Sequence, residues 1–188
     1  VWLTSDNIPV LDHDGKVPAG KLRSRSIRDV PASSLPSYVP HLVEVLELLS
    51  QQPGLHLSLD VKDDNAFGQT VQDVHTHGSD LPARVWLCHP NVERLQAHRA
   101  AFPDVRLVNS VRLGSIREGV ERRCALLSTT GIDALNMRID DWNGGLVTLA
   151  HRFSRYAFGW NLQHEHELRI GLRMGLDGVF SDHVDRMV

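Results

Sequence analysis

The sequence predicts an α/β fold of parallel βα units, a TIM-type (β/α) barrel that is N-terminally truncated and open. Two observations support this. From Leu42 onward, short apolar segments alternate with segments whose apolar residues recur at helical spacing. Residues 55–62 then alternate strictly, with Leu55, Leu57, Leu59 and Val61 on one face and His56, Ser58, Asp60 and Lys62 on the other. An open, doubly wound sheet is the fold alternative, weakened because no Gly-rich phosphate loop follows an early strand. With the strand at Val1 included, about seven βα steps can be counted where a closed barrel has eight.

The elements follow in order. Residues 1–14 read as a short apolar strand, an Asp6-Asn7 turn, a second strand through Ile8, Val10 and Leu11 with Pro9 at its start, and then His13 between Asp12 and Asp14. Residues 15–37, rich in Gly, Pro, Ser and basic side chains, read as a long loop. Leu42, Val45, Leu46 and Leu49 form one helical stripe that Pro53-Gly54 ends. After the strand at 55–62 come a helix around Phe67, Val71 and Val74 and a strand at 84–87. A helix bearing Val92, Leu95 and Phe102 leads to a strand at 105–108. Residues 116–127 lead past Gly131 to a strand at 132–136. A helix over 146–156 precedes a strand at 157–160, and a helix over 164–174, capped by Gly175, precedes the last strand at 178–181.

The chain of 188 residues fits one domain spanning 1–188, with no linker and no repeat in sequence. Its net charge of −3 and the lack of any basic run give a nucleic-acid role no support. No apolar run reaches the roughly 18 residues of a membrane span. Cys88 and Cys124 lack metal-like spacing and read as buried free thiols, which fix no compartment; a cytoplasmic setting is slightly favoured over a secreted one. The sequence leaves the oligomeric state open.

In a barrel, the polar face of residues 55–62 points inward near the strand's C-terminal end, where barrel active sites are built. Asp73-Val74-His75-Thr76-His77 has a His-x-His look but falls at a helix end, where solvated histidines are the better reading. His164-Glu165-His166-Glu167 lacks the i, i+4 histidine spacing of a helical zinc site. Cys88-His89 follows a strand, but a nucleophilic Cys needs a lowered pKa. Asp140-Asp141-Trp142 reads as a helix-entry loop.

Five stretches in order resemble the glycerophosphodiester phosphodiesterase family. They are Val1-Trp2-Leu3-Thr4-Ser5-Asp6 followed by Pro9-Val10 and His13-Asp14; the proline-led helix start at 40–46; Asp60-Val61-Lys62, where the family has Glu-x-Lys; Trp160, with Gln163 where the family has Asn; and Gly175-Leu176-Asp177-Gly178-Val179-Phe180-Ser181-Asp182. The resemblance implies hydrolysis of glycerophosphodiesters to an alcohol and glycerol 3-phosphate on a (β/α)₈ barrel, with a divalent cation, Ca²⁺ or Mg²⁺. Carried over residue by residue, it makes His13 a catalytic acid/base and Asp60 a metal ligand. Lys62 becomes a charge for the phosphoryl oxygens, and Trp160 a wall for the substrate. The family's first-strand His-Arg-Gly and its Glu-x-Asp have no counterpart in the 188 residues. The expectation is therefore a fragment or incomplete barrel, with the cation weakly bound or absent. The other class of reading is a non-catalytic truncated barrel that binds a phosphate-containing ligand or a partner.

Overall fold

The computed structural model describes residues 1–19 and 23–187, which form two compact units. The first comprises Val1–Cys88 with Phe102–Arg106, the second His89–Ala101 with Leu107–Val188.

In the first unit, strands β1 (Trp2–Leu3) and β2 (Pro9–Val10) pair antiparallel, with Trp2 opposite Val10. The turn between them needs a left-handed residue, and Asn7 takes φ 61°, a conformation asparagine tolerates. Thr4 fixes this turn, its Oγ1 accepting from Ile8 N at 2.9 Å.

The stretch expected to be a long loop is instead ordered in its described part; residues 20–22 of it lie outside the described residues. Strands β3 (Lys16–Pro18) and β4 (Ser24–Ser26) form an antiparallel pair, followed by single 3₁₀ turns at Ile27–Asp29 and Ala32–Ser34. Val17, Ile27, Val30 and Val39 bury against Val10, with Trp2 and Leu35 packed alongside. Five apolar residues spread over so long a segment show neither a two-residue nor a 3.6-residue period. Only the folded chain brings them into one cluster.

Helix α1 (Leu42–Ser50) buries Leu42, Leu46 and Leu49, the predicted stripe, with Val45 half-buried. Glu44 Oε2 accepts from His41 N at 2.9 Å, which satisfies one donor at the helix start. Strand β5 (Leu57–Asp60) is followed by α2 (Ala66–His77), the single turn α3 (Leu81–Arg84) and β6 (Val85–His89). β5 and β6 are parallel, with Ser58 opposite Trp86 and Asp60 opposite Cys88. Phe67, Val71 and Val74 of α2 are fully buried, each worth roughly 1.5–3 kcal/mol relative to exposure. Arg84, expected in a strand, ends α3 instead. Its Nη1 donates to the carbonyls of Leu49, Gln52 and Leu55 at 2.9–3.1 Å, and its Nε to Asp80 Oδ2 at 2.9 Å. One buried guanidinium thus serves the carbonyls that follow α1.

In the second unit, α4 (Val92–Ala101) precedes β7 (Arg106–Ser110), then α5 (Val120–Thr129), β8 (Ala134–Arg138), α6 (Gly144–Arg152), β9 (Tyr156–Trp160), α7 (Glu165–Met174) and β10 (Gly178–Phe180). β7 to β10 run parallel in sequence order. Leu135, Met137 and Ala157 are fully buried, and Gly159 shares their face of the strands. A Cβ on Gly159 would come within 2.7 Å of Leu176 Cδ1, so the close packing there depends on glycine. The closing motif has structural work. Gly175 takes φ 86° to end α7, and Asp177 Oδ2 accepts from Ala157 N at 2.7 Å and pairs with His151 Nε2 at 2.8 Å. The two aspartates expected at a helix entry lie in a 3₁₀ turn, Ile139–Asp141, and Asn143 caps α6 instead, accepting from Leu146 N. Among the described residues, no helix is long and apolar enough to cross a membrane.

Candidate functional site

His13 owes its position to the turn that follows β2. Asp12 Oδ1 accepts from Asp14 N at 2.9 Å and Gly15 N at 2.6 Å, which folds the chain back directly after His13. The turn is pinned by the indole Nε1 of Trp2, which donates to Asp12 O at 3.0 Å. Gly15 sits at φ 67° with the Trp2 ring so close that a Cβ would come within 2.5 Å of it. The imidazole is left 87% exposed, its Nδ1 2.7 Å from Asp14 Oδ1. That contact holds the Asp14 carboxyl below the usual carboxylate range and leaves His13 Nε2 to solvent.

The alternation of residues 55–62 does as predicted at the end of β5. Leu59 and Val61 are buried, whereas Ser58, Asp60 and Lys62 are exposed. Backbone bonds from Lys62 N and Asp63 N to the carbonyl of Val1 hold the chain start beside this strand end, together with a bond from Val1 N to Asp60 O. Lys62 Nζ lies 3.6 Å from Asp60 Oδ2, a solvent-exposed pair of little energetic weight.

These two pieces meet at one cavity of about 390 Å³. Leu11, Asp12 and His13 line it from the segment after β2, and Ser58, Asp60 and Lys62 from β5 and the residues beyond it. Its size falls within the usual range for small-ligand sites. Of the predicted site residues, His13, Asp60 and Lys62 are brought together. Trp160 is not among the residues that line this cavity; it ends β9 in the second unit, with the Arg112 guanidinium 5.9 Å from its ring centroid. Asp12 and Ser58 were missed as lining residues. Ser58 shares face parity with Asp60 and Lys62, and Asp12 adjoins His13, so both signals lay in the sequence.

The donor set does not fit a hard divalent cation. Such an ion takes six to eight oxygens, and among the described residues no group of three His, Cys, Asp or Glu side chains could hold a metal. Asp60 has the Lys62 ammonium beside it, and one oxygen of Asp12 is engaged by two backbone N–H groups. Cys88, opposite Asp60 in register, is no nucleophile, because burial pushes its thiol up to about 12. The two histidines of the His-x-His stretch go separate ways, His75 to Asp104 at 2.7 Å and His77 to the backbone carbonyl of Asp73 at 2.7 Å.

No protein-family model matches the chain, and no curated protein is found that resembles it in sequence. Solved structures do resemble it in fold. A candidate glycerophosphoryl diester phosphodiesterase from Silicibacter pomeroyi matches with a TM-score of 0.83 at 16% identity, over 98% of this chain and 79% of that one. A phosphodiesterase from Oleispira antarctica, solved with the product sn-glycerol-3-phosphate, matches with a TM-score of 0.78 at 21% identity, over 96% and 78%. A glycerophosphodiester phosphodiesterase from Thermotoga maritima matches with a TM-score of 0.76 at 18% identity, over 99% and 80%. The chain shares their fold, a partial TIM-type barrel in which β5 to β10 are the parallel strands among the described residues.

Proposed function

We propose that this chain carries the active-site portion of a phosphoric diester hydrolase that cleaves glycerophosphodiesters to an alcohol and glycerol 3-phosphate. The observation that carries the reading is the convergence of His13, Asp60 and Lys62 on one cavity, in a chain that folds as phosphodiesterases do. Water attacks phosphorus and gives up a proton to solvent, the bond from phosphorus to the headgroup oxygen breaks, and the leaving alkoxide takes a proton from His13, which regains one from solvent. An imidazole can make that transfer near neutral pH. The exposed Nε2 is the atom available for it, and Asp14 on Nδ1 orients the ring. Lys62 supplies positive charge to the phosphoryl oxygens, and Asp60 holds the ammonium at the cavity wall.

The test is release of glycerol 3-phosphate from a panel of glycerophosphoglycerol, glycerophosphoinositol and glycerophosphocholine. Turnover of any of them is expected, and no turnover of all three overturns the reading. A second reading, a barrel that binds such ligands without hydrolysing them, is favoured by one observation: among the described residues, His13 is the single histidine lining the cavity. Saturable binding of glycerol 3-phosphate with no turnover of the panel would identify that case.

A further inference from the structure

Within the first unit, His13 and Lys62 both line the cavity but come from segments far apart in the chain. A line of contacts through residues that do not line it ties the two together. The His13 turn has few fastenings of its own. Leu11 N donates to Pro40 O at 3.0 Å on one side of it, and Gly15 O accepts from Ile27 N at 2.9 Å on the other. Among the described residues, the Trp2 indole is the one side chain from outside the turn that hydrogen-bonds to residues 12–14, through Asp12 O at 3.0 Å.

The indole is itself held. The Arg28 guanidinium carbon lies 5.4 Å from the Trp2 ring centroid, a cation–π contact. Arg28 Nε donates to Asp63 Oδ2 at 2.8 Å, and Asp63 is buried directly after Lys62 in the chain. Contacts thus run without a break from Lys62 through Asp63, Arg28, Trp2 and Asp12 to His13. The physical reason to expect an effect on rate is geometric. A proton donor works only within hydrogen-bond reach of the leaving oxygen, and a misplacement of about 1 Å can cost roughly a hundredfold. Asp14 restrains the imidazole against its own turn, but a bond between chain neighbours does not place that turn against Lys62. The indole N–H joins the turn to the Arg28–Asp63 pair beside Lys62.

We infer that Trp2 is a positioning residue whose indole N–H, backed by Arg28 and Asp63, sets where His13 stands relative to Lys62. In its use of His13 as the acid, this rests on the phosphodiester reading above. The experiment compares the parent with Trp2→Phe and with a chain carrying 3-benzothienylalanine at residue 2, which keeps the shape of the indole and lacks its N–H. Two esters of glycerol 3-phosphate are the substrates. Glycerophosphoglycerol leaves as an alkoxide that needs a proton, and the p-nitrophenyl ester leaves as a stable phenolate that needs none. Both variants should lose about tenfold in kcat on the first, the effect of one hydrogen bond, with KM within about a factor of two. On the p-nitrophenyl ester kcat should hold within about twofold, whereas a merely structural loss would lower both rates alike. The Gly15 amide, bonded to Asp12 Oδ1 in the same turn, should exchange with deuterium about tenfold faster in both variants, with the Val71 amide of α2 unchanged.

An unchanged rate on glycerophosphoglycerol, equal losses on the two esters, or unchanged Gly15 exchange in the benzothienyl chain would each overturn the inference. A parent that cleaves neither ester removes the phosphodiester reading instead. Gly15 exchange then decides by itself whether the indole N–H sets the His13 turn, so the two failures are distinguishable.

Discussion

Asp60 ends β5 and Asp63 lies three residues beyond it, and their surroundings differ in almost every respect. Asp60 is 57% exposed, and its one ion-pair partner among the described residues is a lysine 3.6 Å away. Asp63 is buried and accepts from three directions: Arg28 Nε at 2.8 Å, Asn65 N at 3.0 Å and Leu3 N at 3.5 Å. One carboxylate is available to a ligand, and the other joins β1, the turn after β4 and the start of α2. Residue type does not separate the two roles. What separates them is whether the hydrogen-bonding capacity is already taken by the protein, because a satisfied buried acceptor has nothing left to offer a substrate.

The contrast can be broken by substitution. His13→Ala, on the available side, should lower turnover of a glycerophosphodiester by about a hundredfold or more, the range of a positioned acid/base, and leave the urea midpoint unmoved. A rate within a factor of two of the parent would remove His13 from the chemistry. Asp63→Ala should cost roughly 3 kcal/mol in urea unfolding, since it strands a guanidinium and two backbone donors. A loss below about 1 kcal/mol would mean that the joint is no joint. Asp60→Asn is expected to split the two readouts, with turnover down about tenfold and stability within about 0.5 kcal/mol, as for other exposed positions. A large stability loss there would place Asp60 with Asp63.

A smaller effect sharpens the same distinction by pH. Asp141 accepts from Arg112 and from Leu113 N, and the guanidinium holds its carboxyl below the usual carboxylate range. Its folded pKa therefore lies under the unfolded value of 3.8, and its contribution is fully present above about pH 4. Protonation removes that contribution as pH falls through the folded value. Acid titration of stability should show a shallower fall below pH 4 in Asp141→Asn than in the parent. Identical slopes would count against the pairing.

Most of the parallel βα order was legible because burial writes a period into the chain: Leu42, Leu46 and Leu49 at helical spacing, Leu59 and Val61 at strand spacing. The β3–β4 pair was not, since Ser24-Arg25-Ser26 is polar throughout and earns its extended form from the opposite strand rather than from its own composition. Arg84 was misplaced because its role is set by three carbonyls of a helix end far earlier in the chain. In the site, His13 and Asp60 could be found from motif and parity. The indole of Trp2 that pins the His13 turn could not, because a tryptophan carries no sequence mark of donating to the carbonyl of Asp12.

Arg84 has a consequence of another kind. The fastening of the α1 terminus is buried, unlike the exposed histidine–aspartate contacts at His75 and His151. It is also blind to salt, since its acceptors are mostly neutral carbonyls in a buried setting. A lysine there would keep the charge and lose the planar geometry that lets one nitrogen face three carbonyls while another faces Asp80. The fastening is thus a matter of shape more than of charge.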